Sequence, residues 1–209
     1  MKEFNKSTCL IDMLLSQLDF QRQLLNKRNN ITAPDDVKAA PTEKLSEACY
    51  HATCTNVELA EFIEQLSKDK YEITDEVLLE LTDAFTFLLN QLLYINILPT
   101  KTLSYYTSCA KIRYEARSAK PFTYTEIIGL YNLATGALYH KTRYKSWKTY
   151  TELDDNVYEL IPLVDEVLTT FMLLYIKAGV EDTKIYEYFY KKHDVNRKRQ
   201  EVGGEYEKV

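Results

Sequence analysis

The sequence predicts an all-α fold, a single compact helical bundle. Three observations carry this. Gly and Pro are scarce, five each in 209 residues, and Tyr is abundant at 17; with Leu, Glu and Lys also common, the composition is that of a helical chain rather than a sheet. Apolar residues recur at helical spacing in segment after segment. The polar stretches between those segments are short relative to them, as in a bundle. A chain of this length buries a sizeable core of its own, so residues 1–209 read as one domain.

The elements follow in order. Residues 8–28 form an amphipathic helix with Leu10, Met13, Leu14, Leu18, Leu24 and Leu25 on one side and Gln17, Gln21 and Arg22 among its polar positions. The polar segment 29–44 carries two prolines and reads as a loop. A second helix spans Lys44 to Ser67, with Leu59, Phe62, Ile63 and Leu66 as a core stripe. After a turn at 67–75 comes the longest apolar run, Asp75 to Leu98. Thr74 or Asp75 caps its start, acids fill its first turn and Pro99 closes it. Nearly every position from Val77 onward is apolar, so this is the buried central helix. Residues 101–120 form a helix that ends before Pro121, and 122–147 another, capped by Thr123 or Thr125. Val157 to Ala178 is strongly apolar and ended by Gly179; Glu181 to Lys198 is the last helix, followed by a polar tail. Segment 100–155 reads as additional helices on the bundle.

Several function classes drop out. A net charge of −5 argues against non-specific nucleic-acid binding. The N-terminal MKEFNKSTCL lacks the apolar stretch of a signal peptide, and no uncharged run approaches the ~20 residues of a membrane span. Cys9, Cys49, Cys54 and Cys109 make no tight pair for zinc, even with His51 between two of them. Reduced, buried thiols in a cytoplasmic protein are the reading. Low Gly with high Lys, Tyr and Asn suits an AT-rich or phage genome.

The central helix carries Glu80 and Asp83, three apart, on a stripe with Phe87 and Asn90. A central helix does not bury two carboxylates without something to neutralise them. The preceding helix offers Glu58, Glu61 and Glu64. Glu58 lies at the edge of the core stripe and Glu61 one step beyond, whereas the Glu61/Glu64 pair centres on the solvent side. Glu58 and Glu61 are therefore preferred, with Glu64 in reserve. The pattern is ExxE, eighteen residues, ExxD. Four hard oxygen ligands from two packed helices suit Mg²⁺ or Mn²⁺. A di-iron bundle would place His at the i+3 positions, which here hold Glu61 and Asp83. Taken alone, ExxE on a charged helix is also what a solvated face looks like.

The last helix ends in a basic cluster in an acidic protein. Lys192, Asn196 and Arg199 share one face at i, i+4 and i+7. They are phosphate-binding candidates, or simply cations placed favourably at a helix C-terminus.

At these residues the chain resembles the all-α NTP pyrophosphatases, in the branch of the dimeric dUTPases and phage dCTP pyrophosphatases. Glu58-Leu59-Ala60-Glu61 and Glu80-Leu81-Thr82-Asp83 match the ExxE and ExxD marks, and 80–90 is similar to E-L-x-D-x-x-H-F-x-L-S/N with Thr86 in place of His. The tail resembles Y-x-x-K-N-x-x-N-x-x-R-Q-x-x-G-Y through Lys192, Asn196, Arg199, Gln200 and Gly203, with His193 for the first Asn. The first helix resembles L-x-x-Q-x-x-L-N through Gln21 and Asn26. The family's Trp-Lys pairs after ExxE are absent, and Lys68 and Lys70 stand in that neighbourhood.

The resemblance implies a bundle of the all-α NTP pyrophosphatase type. It implies two or more Mg²⁺ ions per site on Glu58, Glu61, Glu80 and Asp83, with Glu61 orienting the attacking water. It implies phosphate contacts from Lys192, Asn196 and Arg199, and base contacts from Gln21, Asn26 and Asn90. The reaction implied is hydrolysis of a deoxynucleoside triphosphate, dUTP foremost and dCTP as the alternative, to monophosphate and diphosphate. The implied assembly is a homodimer, with no nucleic-acid and no membrane partner. Tyr-rich stretches such as 104–109 and 185–192 fit either a subunit interface or ordinary amphipathic packing. Rival readings are a broader NTP pyrophosphatase and a helical protein-binding module without catalysis.

Overall fold

The computed structural model describes residues 5, 7–27, 33–35, 41–142 and 157–201. Among them are seven helices and no strand: α1 (Cys9–Lys27), α2 (Pro41–Lys68), α3 (Asp75–Ile95), α4 (Leu103–Glu115), α5 (Tyr124–Lys141), α6 (Val157–Lys177) and α7 (Asp182–Glu201). The all-α expectation holds.

Local chemistry sets the boundaries. The Thr74 side chain accepts the Val77 N–H at 3.3 Å and caps α3. That helix stops at Ile95, three residues before the expected Leu98. Asn96 adopts a left-handed conformation (φ 59°), and its N–H closes on the Leu93 carbonyl. Asn tolerates this geometry, so the stop is made by a C-cap and not by Pro99. Helix α2 starts at Pro41 rather than Lys44, because a proline at the first helical position needs no N–H partner. Helix α4 ends at Glu115, five residues short of Lys120, and a run of turns follows. Of the two candidate caps for α5, Thr123 is the one used. It forms a reciprocal capping box with Glu126. The expected extension of α5 to 147 lies beyond residue 142, outside the described residues. Gly179 (φ 70°) ends α6, with the Val180 N–H returning to the Tyr175 carbonyl.

Helices α2 and α3 form an antiparallel hairpin joined at 69–74 and share the most extensive contact in the fold. From Leu81 to Ile95, every α3 residue is buried except Asp83 and Phe87. This helix is long and apolar enough to cross a membrane, but most of that stretch is buried inside the bundle. Helix α6 backs it, with the Phe85 and Phe171 rings stacked at 5.6 Å and the Tyr175 hydroxyl aimed at the Leu81 carbonyl. Helices α4 and α5 pack on α6. Tyr106 donates to Asp165 at 2.6 Å, and Arg113 grips Glu166 with two bonds of 2.7 and 2.8 Å. Helices α1 and α7 lie against α3 on its remaining side. Tyr94, Tyr106, Tyr131, Tyr175 and Tyr186 are fully buried, so much of the tyrosine content serves ordinary packing. Of the four free cysteines only Cys9 is buried; the other three are partly exposed, where all had been expected inside.

Candidate active site

The hairpin sets acids from its two arms face to face. Glu58 and Glu61 lie one turn apart on α2, and Glu80 sits opposite them near the start of α3. One carboxylate oxygen from each lies within 4.8 Å of the others. Glu58 and Glu80 are half-buried and Glu61 is exposed. Burial, then the charges of Asp83, Glu61 and Glu80, pushes the Glu58 carboxyl up to about 7, against an opposing pull from Lys192. A carboxyl so displaced marks a site that gains from a cation. The donor set is all hard oxygen on two rigid helices, which fits Mg²⁺ or Mn²⁺.

Asp83, the fourth acid of the pattern, is paired. The Lys192 ammonium from α7 sits on its Oδ2, with side-chain exposures of 13% and 14%. Burial still raises the Asp83 carboxyl to about 6, with Lys192 and Arg199 pulling it down. The cation expected to bind phosphate therefore stands at the edge of the acidic cluster, one helix away. Asn196 is half-buried on the same face of α7, and Arg199 is exposed one turn on. Glu64 lies outside the cluster, exposed and bridged to Lys68 at 2.8 Å. Lys68 is thereby engaged, and Lys70 stands in the tight turn with φ 53°.

The residues expected at a base are amides. Asn90 is buried on α3, and its Oδ1 has no hydrogen-bond partner. Gln21 is buried on α1, although the sequence had it on a polar face. Asn26 falls in the last turn of α1, where side chains lie outside the described residues, as do Gly203 and Tyr206. Two further amides were not anticipated. Gln17 (α1) and Gln91 (α3) are fully buried with unpartnered atoms. Gln17 stands four residues after the buried Met13 and four before Gln21. That register carries the signal, and an apolar-only stripe passes over it.

The two departures from the family pattern have physical accounts. The Thr86 hydroxyl bonds its own helix at the Thr82 carbonyl, 3.0 Å away. His193 is buried, packs on Phe20 at 5.4 Å and meets the Ser16 carbonyl at 3.1 Å, so it fastens α7 to α1.

An all-helical fold that gathers acids from two antiparallel helices beside a basic C-terminal helix agrees with the resemblance to the nucleotide pyrophosphatases. The comparison with known families makes this specific. The family model described as dUTPase matches residues 16–204, and the chain belongs to that family. No curated protein and no solved structure matches it.

Proposed function

We propose that the protein hydrolyses a deoxypyrimidine triphosphate, dUTP foremost, to the monophosphate and diphosphate with Mg²⁺ as cofactor. The observation that carries this is the convergence of Glu58, Glu61 and Glu80 within 4.8 Å beside the Asp83–Lys192 pair, in a chain of the dUTPase family. Glu58, Glu61, Glu80 and Asp83 are the residues that would hold two or more ions. Bound there, the metal supplies charge neutralisation for the phosphates and a lowered pKa for water. Glu61, the exposed member, orients a water from the solvent side and accepts its proton in this reading. Lys192, Asn196 and Arg199 bind phosphate oxygens as charge develops on them. Gln17, Gln21, Asn26 and Asn90 offer amides to the base, and an amide presents a donor and an acceptor to either uracil or cytosine.

Assembly as a homodimer belongs to this reading. Ile11, Leu15 and Leu98 are more than half exposed around an apolar hollow of about 200 Å³ between α1 and the end of α3, which favours a second copy there. The deciding experiment is diphosphate release with Mg²⁺ from dUTP, dCTP, dTTP and the ribonucleotides. Selective hydrolysis of dUTP supports the reading. Selective hydrolysis of dCTP keeps the metal and phosphate assignments and changes the base. Silence across the panel from folded protein overturns it in favour of a non-catalytic module.

A further inference from the structure

Three polar side chains are buried in the α2–α3 seam with atoms that find no partner: His51 Nδ1, Asn90 Oδ1, and both polar atoms of Gln91. Each unmet buried group is destabilising, and native folds carry few of them. Their placement is ordered. The His51 ring lies 5.8 Å from Phe87 and 5.1 Å from Tyr94, and Asn90 and Gln91 occupy the α3 turn between those two aromatics. On α2, His51, Thr55 and Glu58 share a face at i, i+4 and i+7, so His51 stands about 10 Å along the helix from the carboxylate cluster. Phe87, between Asp83 and Asn90 on the acidic stripe, is the one half-buried side chain of α3 between Ala84 and Ile95. A nucleotide with its phosphates at the cluster would reach His51 by extending its base along this seam, past the partly exposed Phe87 ring.

Resting on the function proposed above, we infer that His51 is a specificity-determining residue of the nucleotide site: its imidazole, presented beside Asn90, hydrogen-bonds the polar edge of the pyrimidine. Burial makes this ring a reader of a neutral group rather than of phosphate. It lowers the His51 pKa to about 4, so at neutral pH the imidazole carries one N–H donor and one acceptor lone pair and no charge. The neighbouring aromatic rings hold its plane, as a group that discriminates by hydrogen-bond geometry requires.

The test has two arms. His51→Phe keeps an aromatic ring against Phe87 and Tyr94 and removes both nitrogens. Its melting temperature should equal or exceed that of the parent, because an unmet buried group is gone. The ratio of kcat/KM for dUTP and dCTP should fall about tenfold or more, the loss falling on the preferred nucleotide. In the second arm, the ¹⁵N resonances of the His51 ring are followed in the unaltered protein. They should move on adding α,β-imido-dUTP or α,β-imido-dCTP with Mg²⁺, and stay in place with inorganic diphosphate and Mg²⁺. Unchanged selectivity in a folded variant overturns the inference. So does a ring that ignores both nucleotides or responds equally to diphosphate. If the variant does not fold, the second arm decides alone. Absence of turnover in the parent protein sinks the proposed reaction, and the resonance shift still decides the role of His51.

Discussion

Replacing Lys192 by Met tests whether the Asp83–Lys192 pair and the acidic cluster act as one electrostatic unit. Met keeps most of the apolar stem and removes the ammonium. With Lys192 in place, Asp83 titrates near 6, against 3.8 for the free side chain. At about 1.4 kcal/mol per pKa unit, holding this carboxylate ionised in the fold costs about 3 kcal/mol above pH 6. Without Lys192 the folded pKa climbs further, and the carboxyl escapes by taking a proton. At pH 7 that escape caps the total penalty at about 4 kcal/mol, the distance from 3.8 to 7. The variant therefore loses at most about 1 kcal/mol at pH 7 through Asp83.

The pH profile carries the sign. A carboxyl whose folded pKa is raised keeps its full stability contribution below the unfolded pKa and loses it as pH climbs through the folded one. The gap between parent and variant should widen with pH, up to a few tenths of a kcal/mol at pH 6, up to about 1 at pH 7 and up to about 3 at pH 8. Urea unfolding in EDTA at the three pH values measures it. Adding Asp83→Asn to the variant should flatten the profile, because the group that needs Lys192 is gone. A loss independent of pH, or none at pH 8, would refute the argument by showing that the pair is incidental. Diphosphate release by Lys192→Met should fall about 10²-fold or more in kcat if the same ammonium meets phosphate during the reaction.

Glu80→Gln removes a charge that helps raise the Glu58 carboxyl to about 7. In EDTA at pH 8 the variant should melt higher than the parent, because like charges no longer crowd a half-buried site. Added Mg²⁺ should raise the melting temperature of the parent and leave the variant unmoved, and the variant should lose hydrolysis; a variant that is less stable in EDTA, or still stabilised by Mg²⁺, contradicts the cluster. The Mg²⁺ effect in the parent should grow from pH 5 to pH 8, since Glu58 sheds its proton through this window. Thr123→Ala removes one half of the capping box at α5 and should cost about 1 kcal/mol in urea unfolding while turnover per folded molecule stays constant.

How much of this was legible depended on whether the signal was local. The carboxylate pattern was readable because i, i+3 spacing on two adjacent helices survives any detail of packing, and the hairpin does bring Glu58, Glu61 and Glu80 together. The shared face of Lys192, Asn196 and Arg199 was readable for the same reason. That Lys192 lands on Asp83 was not, because the pairing joins α7 to α3 across more than a hundred residues. The helix end at Ile95 was missed because Pro99 is a louder stop signal than an Asn able to turn left-handed. Gln17 and Gln21 were read only as polar positions of the first helix, and their burial does not follow from that. In α1 they continue the buried row of Met13, and only the packing of α1 against α3 and α7 buries that row.

That row bears on how the fold tolerates so much buried polarity. The side of α3 facing α6 is apolar and aromatic, with Phe85 against Phe171 and Tyr175. The polar groups of α4 and α6 satisfy each other through Tyr106–Asp165 and Arg113–Glu166. Those pairs tie α4 to α6, the helix that backs α3. Toward the acids the balance differs: His51 on α2 and Asn90 and Gln91 on α3, the two helices that carry the cluster, are buried with atoms that find no partner. A stability-driven fold would distribute such groups or pair them. Three such side chains on the two helices of the acidic hairpin, beside carboxylates displaced from their ordinary pKa, fit a site whose missing partners arrive with the substrate.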